Sequence, residues 1–396
     1  MKLYIVSLKR FFIKNGKVHT YGGFGEYVKM FLDDFDEIHL CVPLSPKEIE
    51  GGYEMEHPKI HYHFLPSYKN ELWLMIKSPL IFIYLLFYLP KADVINPRIP
   101  DMTGVYGWLI GKLFRKPMFV SVQSDITLLL ENENCTRLKG FMKKSLFSWL
   151  KLYLWFEKII LKDTISFPQG YRLIEKYCKN NDKAIPWIST ALADKDIVLV
   201  EKEMIVRKKK INLINVARLT RQKNQIDLIE MMNILRLNGY ENVHLTIIGK
   251  KDERIYQELS NAIDLFKLNN HVHFLSSVKH GKKLWKILDN SDIFVFSSIW
   301  EGTPKVLLEA LGRSLPIVTT DVGGIKSVIK NDYNGLLCSR NNPIYLAEKV
   351  EKFINMDKET LNSFIKNGHS EVSKYTISAQ KKVLIDSLYK YGILSK

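Results

Sequence analysis

The sequence predicts an α/β protein of two doubly wound domains, and three observations carry that prediction. Short β-rich runs alternate with amphipathic segments along nearly the whole chain, the pattern of helices layered on parallel sheets. The alternation occurs as two series of comparable size, divided by a charged stretch from Asp194 to Lys210. The length of 396 residues suits two domains at roughly 100–200 residues each.

The first series opens with Leu3–Leu8, a short apolar run followed directly by Lys9-Arg10, which reads as a strand and not as a signal peptide. Further strands are expected near Ile38–Pro43, Ile60–Leu65, Val94–Ile95, Met118–Val122 and Ile165–Phe167. Helices are expected over Gly23–Leu32, Leu72–Leu89, Gly104–Phe114 and Leu138–Leu161. Leu72–Leu89 is the longest apolar stretch, but Lys77, Ser78 and Pro79 interrupt it. That leaves a buried or interfacial helix, because a span needs about 20 apolar residues. The second series has strands near Ile211–Val216, His244–Ile248, Val272–Phe274, Ile293–Phe296, Ile317–Thr319 and Leu336–Cys338. Asn224–Leu237 and Lys305–Leu311 are among its helices. Arg207-Lys208-Lys209-Lys210 reads as a solvated charge cluster closing the linker. Ligands of such sheets bind at the carboxyl ends of the strands, so the cleft between two facing domains is the expected site.

Composition bounds the chemistry. Cys41, Cys135, Cys178 and Cys338 are scattered and form no C-x-x-C, which argues against a disulfide framework or a cysteine zinc site and for a reducing compartment. The formal net charge is +16, a field that favours polyanions: nucleic acid, anionic headgroups or phosphorylated substrates. A nicotinamide-dependent oxidoreductase is disfavoured, because no G-x-G-x-x-G opens a helix.

The strongest local signal is Ser298-Ile299-Trp300-Glu301-Gly302-Thr303-Pro304-Lys305-Val306-Leu307-Leu308-Glu309-Ala310, which follows the apolar run Asp292–Phe296. Gly302 permits a tight turn, Thr303 is expected to cap a helix, and Pro304 suits its first position. The N–H groups of Lys305, Val306 and Leu307 are then expected to face a phosphate. Glu301 lies before the helix and Glu309 within it, two carboxylates that can accept from sugar or ribose hydroxyls. A second strand-to-helix element, Asn215–Asn224, carries Arg218 and Lys223, a planar fork and a point charge suited to a diphosphate. A third, Tyr21-Gly22-Gly23-Phe24-Gly25-Glu26, lets backbone approach a phosphate or sugar closely.

At these residues the chain resembles the retaining GT-B glycosyltransferases of family 4. Glu301…Glu309 resembles the family's pair of glutamates with seven residues between them, and Arg218-Leu219-Thr220-Arg221-Gln222-Lys223 its Arg-Leu-x-x-x-Lys. Leu315–Gly324, Asn334-Gly335-Leu336-Leu337 and His271–Val278 resemble further parts of the donor domain. The resemblance is strong over the second half and weaker over the first, where it includes Gly22-Gly23. It implies a GT-B fold: an acceptor-binding Rossmann-like domain over 1–193, a donor-binding one over 207–375, and a last helix over 376–396 that crosses back onto the first. It implies that Arg218 and Lys223 hold the donor diphosphate, that Glu309 binds the ribose, and that Glu301, with Gly302 and Thr303 beside it, meets the transferred sugar. Gly22 and Gly23 would close over the phosphates. Many members have a histidine after the strand that here ends in Val122. This chain has Gln123-Ser124-Asp125, so Asp125 and Gln123 stand as the catalytic candidates there. Arg98 also follows a strand, as a cleft residue or an ordinary loop cation.

The expected reaction is transfer of a sugar from a nucleotide-sugar donor to a polysaccharide, glycolipid or lipid-linked acceptor, with retention and with neither metal nor other cofactor. Asp34-Phe35-Asp36 and Asp194-Lys195-Asp196 read as ordinary acids. His61/His63 and His271/His273 read as ordinary strand histidines with no third ligand beside them. From Arg137 to Lys162, Lys144, Lys151, Lys158 and Lys162 share one helical stripe amid Trp149, Tyr153, Trp155 and Phe156. This predicts a cytoplasmic protein held peripherally at an anionic membrane face. A sugar-nucleotide epimerase of the same fold and a non-enzymatic nucleic-acid or membrane binder are the alternatives. Nucleic acid is not the expected partner.

Overall fold

Runs that are apolar at successive positions form the buried strands. Ile293-Phe294-Val295-Phe296 is covered on both faces, as parallel strands between helix layers must be. The computed structural model describes residues 1–49, 52–68, 71–127, 140–188 and 190–395. Two compact units result: Met1–Ala191 with Gln380–Lys396, and Leu192–Ala379.

In the first unit the strands are β1 (Lys2–Val6), β2 (Phe12–Lys14), β3 (Lys17–Thr20), β4 (Glu37–Pro43), β5 (Tyr53–Glu54), β6 (Ile60–Leu65), β7 (Val94–Ile99), β8 (Val120–Val122) and β9 (Ser166–Pro168). Six of them form a sheet in the order β6-β4-β1-β7-β8-β9, and each pairing is parallel. Two apolar clusters cover it, one around Tyr4, Ile81 and Leu85 and one around Val105, Val122 and Ile160. The helices Glu71–Tyr88, Met102–Leu113 and Gly140–Asp163 supply much of that cover. Arg137, Leu138 and Cys135 lie outside the described residues, as does the side chain of Lys144.

The second unit has β10 (Ile211–Val216), β11 (Val243–Ile248), β12 (Val272–Leu275), β13 (Ile293–Phe296), β14 (Ile317–Thr320) and β15 (Leu336–Cys338). Their order, β12-β11-β10-β13-β14-β15, repeats that of the first unit. The order reverses beside β10, between β10 and β13, and a doubly wound sheet binds its ligands at such a switch point.

Two expectations change. A small antiparallel sheet, β2-β3-β5, fills what reads in sequence as a long loop before Gly22. Its hairpin turns at Asn15-Gly16, with φ of 51° and 75°, the paired positive values of a type I′ turn. The charged stretch expected to link the domains belongs to the second unit. Ile205 is buried, Lys202 Nζ donates to Ser291 O at 2.8 Å, and Lys208 pairs with Asp292 at 2.5 Å. Asp292 is 2% exposed, so its charge needs a cation, and the supposed linker provides one. The closing helix, Ile377–Lys390, joins the first unit from Gln380 onward, where Gln380 O accepts from Trp187 Nε1 at 3.2 Å.

Candidate functional site

The loops after β10 and β13 flank the switch point, and hydrogen bonds stitch them together. Ile299 N donates to Gln222 O at 2.9 Å, and Gln222 Nε2 returns one to Trp300 O at 2.9 Å. Ser297 Oγ reaches the carbonyls of Lys223 and Asn224 at 3.0 and 2.8 Å. Asn224 closes its turn in the left-handed region, at φ 48°. The result is one surface presenting side chains far apart in sequence.

Lys223 and Glu301 meet on that surface as an ion pair, with Ser298 Oγ donating to the same carboxylate oxygen at 2.6 Å. Glu301 is buried, and Lys223 also lies 5.1 Å over the Phe296 ring. Arg218 is exposed at the end of β10, and among the described residues its guanidinium has no ion-pair partner. A fork of this kind, unpaired beside a second cation, can neutralise a diphosphate.

Gly323 and Gly324 back the Glu301 loop. Gly324 N donates to Glu301 O at 3.1 Å. A Cβ on Gly324 would meet Gly302 O at 2.2 Å, and one on Gly323 would meet Glu301 O at 1.9 Å.

The helix Lys305–Gly312 starts where its expected range begins, one residue after the start at Pro304 that the capping pattern implied. Pro304 is its N-cap, at φ −72° and ψ 113°, and no side chain caps it. Thr303 therefore does not cap, and its buried Oγ1 has no hydrogen-bond partner among the described residues. Leu307 N donates to Pro304 O at 3.1 Å, so it is not one of the free donors. The tight first turn consumes it, which removes Leu307 from the three donors expected to face a phosphate. Glu309, on this helix, has a partner that sequence reasoning missed: His280 Nδ1 lies 3.0 Å from its Oε1. His280 packs edge-on against Trp285 at 4.8 Å, and its only sequence signal is its place in the loop beyond β12.

In the first unit, the sheet's carboxyl end brings together Arg98 of β7, Gln123 after β8 and Gln169 after β9. Gln123 Oε1 accepts from Arg98 Nη2 at 2.6 Å and from Gln169 Nε2 at 2.8 Å. Arg98 is 8% exposed and lies 4.6 and 4.3 Å over the rings of Phe24 and Tyr27. Its Nε and Nη1, and Nε2 of Gln123, are buried with no hydrogen-bond partner among the described residues. Three donors without acceptors at strand ends suit a hydroxyl- or oxyanion-bearing ligand. Gln169 was missed, although a polar residue directly after the buried Ser166–Pro168 was a signal.

Asp125 is occupied otherwise. Its carboxylate accepts from Lys176 Nζ and Tyr177 OH, each at 2.5 Å, and from Thr127 Oγ1 at 2.6 Å. Burial alone would raise its pKa, but these donors outweigh burial and hold it down at about 2. Gly22 takes a φ of 66°, and Gly23 precedes the short helix Phe24–Lys29. The Lys9 ammonium approaches the point where a Gly22 Cβ would stand, at 3.5 Å.

The Asp-x-Asp triplets are engaged in packing: Asp36 pairs with the N-terminal amine, Asp194 accepts from Ser378 Oγ at 2.7 Å, and Asp196 from Trp285 Nε1 at 3.2 Å. The expectation that no third candidate ligand stands beside His61 needs correction. In-register pairing of β4 with β6 places His39 beside His61, and Glu37 lies two residues before His39 on the same face. Ligand atoms of Glu37, His39 and His61 all lie within 4.8 Å of one another. Two of the three, Glu37 and His39, come from the neighbouring strand, which spacing along one strand cannot reveal. At His271/His273 a third imidazole, His244, stacks at 5.1 and 6.4 Å.

Comparison with known proteins places these features. Residues 200–371 match the family model of glycosyl transferases group 1. An uncharacterized glycosyltransferase of Methanocaldococcus jannaschii is 27% identical over 300 residues, covering 71% of this chain and 66% of the relative, just under two thirds of its length. The capsular polysaccharide biosynthesis glycosyltransferase CapM of Staphylococcus aureus is 24% identical over 331 residues, covering 78% of this chain and 80% of CapM. Among solved structures, Anabaena HepE in complex with UDP and glucose has a TM-score of 0.66 at 14% identity, covering 98% of this chain and 100% of HepE. The fold of these structures is GT-B, and this chain shares it.

Proposed function

We propose, from the match of residues 200–371 to the glycosyl transferases group 1, that the chain is a member of that family and moves a sugar from a nucleoside-diphosphate sugar to a carbohydrate or lipid-linked acceptor, with retention at the anomeric carbon. The observation that carries this reading is the stitched pair of loops at the β10/β13 switch point, where Arg218, the Lys223–Glu301 pair and the start of the helix Lys305–Gly312 converge. Arg218 offers paired N–H groups to the diphosphate. Lys223 exchanges Glu301 for a phosphate oxygen, which leaves the Glu301 carboxylate to accept from hydroxyls of the sugar. Glu309, oriented by His280, accepts from the ribose. The Arg218 fork stabilises the departing diphosphate, and Lys223 adds its charge once it has left Glu301, so the transfer needs no metal. Arg98, Gln123 and Gln169 bind hydroxyls in the first unit, and Asp125 positions the segment after β8 through Lys176 and Tyr177. The names of CapM and of the complex of HepE with UDP and glucose support a polysaccharide pathway and a nucleotide-sugar donor.

We also propose that the first unit rests on an anionic membrane surface at the cytoplasmic face. Trp73, Ile76, Leu80, Ile83, Tyr84 and Phe87 are exposed along one stripe of the helix Glu71–Tyr88. Trp155, Leu152 and Ile159 are exposed on the helix Gly140–Asp163, beside exposed Lys151, Lys158 and Lys162. No helix among the described residues is long and apolar enough to cross a membrane.

The test is product formation. The chain is incubated with UDP-, GDP- and ADP-sugars and lipid-linked saccharides in EDTA, and anomeric protons are followed by NMR. The reading expects acceptor-dependent release of one nucleoside diphosphate and a product with the donor's anomeric configuration. An epimerised or free sugar formed without acceptor supports the epimerase alternative instead.

A further inference from the structure

We propose that Glu37, His39 and His61 form a binding site for a divalent transition metal of the zinc type, at the amino ends of β4 and β6 in the first unit. The backbone already sets the geometry. Parallel register makes His39 and His61 direct neighbours on one sheet face, with ring centroids 4.9 Å apart. Strand alternation brings Glu37 to that face, where its Oε2 lies 2.8 Å from His39 Nε2. The three ligand atoms lie within 4.8 Å of one another. A tetrahedral zinc with bonds of about 2.0–2.1 Å holds its ligand atoms about 3.3 Å apart, so the Glu37–His39 pair at 2.8 Å opens and the wider pairs close, adjustments within the reach of side-chain rotation.

The surroundings suit a metal ligand. Metal-bound imidazoles donate their other N–H to a fixed acceptor, and His39 Nδ1 lies 2.9 Å from His63 Nε2. The Tyr4 ring stacks on His39 at 4.2 Å and fixes its plane. Lys2 competes for Glu37, at 3.1 Å from Oε2, and the second carboxylate oxygen can serve that ammonium. Two imidazoles and one carboxylate make a borderline-soft set that favours zinc, cobalt or nickel over magnesium, and water completes the shell. The donor and acceptor residues lie at the carboxyl ends of their strands, so this metal is not part of the transfer chemistry. It ties the edge strand β6 to β4, and it stabilises the first unit by binding only the folded chain.

The test is a cobalt titration of the full chain, read by visible absorption, with melting temperatures in zinc, in magnesium and in EDTA. The proposal expects a tetrahedral cobalt spectrum that saturates at one equivalent and is displaced by zinc. It expects a higher melting temperature in zinc but not in magnesium. His61→Ala and Glu37→Gln abolish the spectrum while melting in EDTA as the wild type does, and His63→Phe weakens binding about 10–100-fold. His273→Ala leaves the spectrum intact. Absence of a stoichiometric cobalt spectrum overturns the proposal, as does a spectrum that survives both His61→Ala and Glu37→Gln.

Discussion

Lys223 and Glu301 neutralise each other, and this decides how each responds to substitution. Lys223→Ala leaves a buried carboxylate with only Ser298 beside it, so it lowers stability by about 3–5 kcal/mol as well as weakening nucleotide binding. Arg218→Ala removes a guanidinium with no partner among the described residues, so its melting temperature stays at the wild-type value. Its kcat/KM falls by about 10²–10³, the effect of losing one charge-stabilising donor of about 2.7–4 kcal/mol. Thermal melts beside steady-state kinetics separate the two variants. Glu157 makes a pH prediction. Burial raises its pKa from 4.5 to about 7. A carboxyl shifted upward stabilises the fold while protonated, fully below the unfolded value, and that stability is lost as pH rises from about 4.5 to about 7. Glu157→Gln removes this loss, so the variant gains on the wild type between pH 5 and 8 in urea unfolding. Asp125, shifted downward, acts oppositely: its contribution disappears as pH falls from 3.8 towards about 2. Individual site residues were legible where charge followed a buried strand inside a motif, as with Arg218, Lys223 and Glu301. Their pairing was not, because it joins positions 78 apart in the chain. His280 and Gln169 lie in loops without a motif and emerge only through their partners.

Among the elements, strands buried on both faces were the most readable, because Ile293–Phe296 and Ile211–Val216 are bounded runs with little competing pattern. The β2–β3 hairpin was passed over, although Asn15-Gly16 is a strong turn signal, because neither flanking strand is apolar enough to draw notice. The charged stretch Asp194 to Lys210 was read as the divide between the domains because Lys202 and Lys208 contact a carbonyl and an acid of the second unit that no local pattern announces. Capping was the other local failure. Thr303-Pro304 fits a start at Pro304, yet Pro304 has an extended ψ and the helix begins after it. The loop it ends is held from behind, and that yields a prediction. Gly324→Ala drives a methyl against Gly302 O, 2.2 Å from the Cβ position, and displaces the Glu301 loop. It is expected to cost about 1–3 kcal/mol of stability and to weaken nucleotide binding beyond what the melting temperature accounts for. Isothermal calorimetry and thermal melts on the same samples check this.

At the scale of the molecule, two doubly wound sheets were foreseeable from the repeated alternation, while their shared strand order came from the structure. The charge of +16 was equally plain, but what it serves needed the surface. The exposed apolar stripe of Glu71–Tyr88 and the exposed lysines of Gly140–Asp163 are the features on which the proposed membrane reading rests. The chain is therefore expected to co-sediment with anionic vesicles at low salt, to release as salt rises, and to lose binding in a Phe87→Ser, Trp155→Ser double variant. Equal binding to neutral and anionic vesicles contradicts the electrostatic part of this account.

The central claim is a metal-independent nucleotide-sugar site built on the loops after β10 and β13. Calorimetric titration with UDP, GDP, ADP and their sugars, with and without EDTA, on wild type and Arg218→Ala, tests it most directly. The account predicts that one nucleotide binds the wild type, that EDTA leaves its affinity unchanged, and that Arg218→Ala weakens it sharply. Binding of no nucleotide, or binding that EDTA abolishes or Arg218→Ala leaves intact, contradicts it.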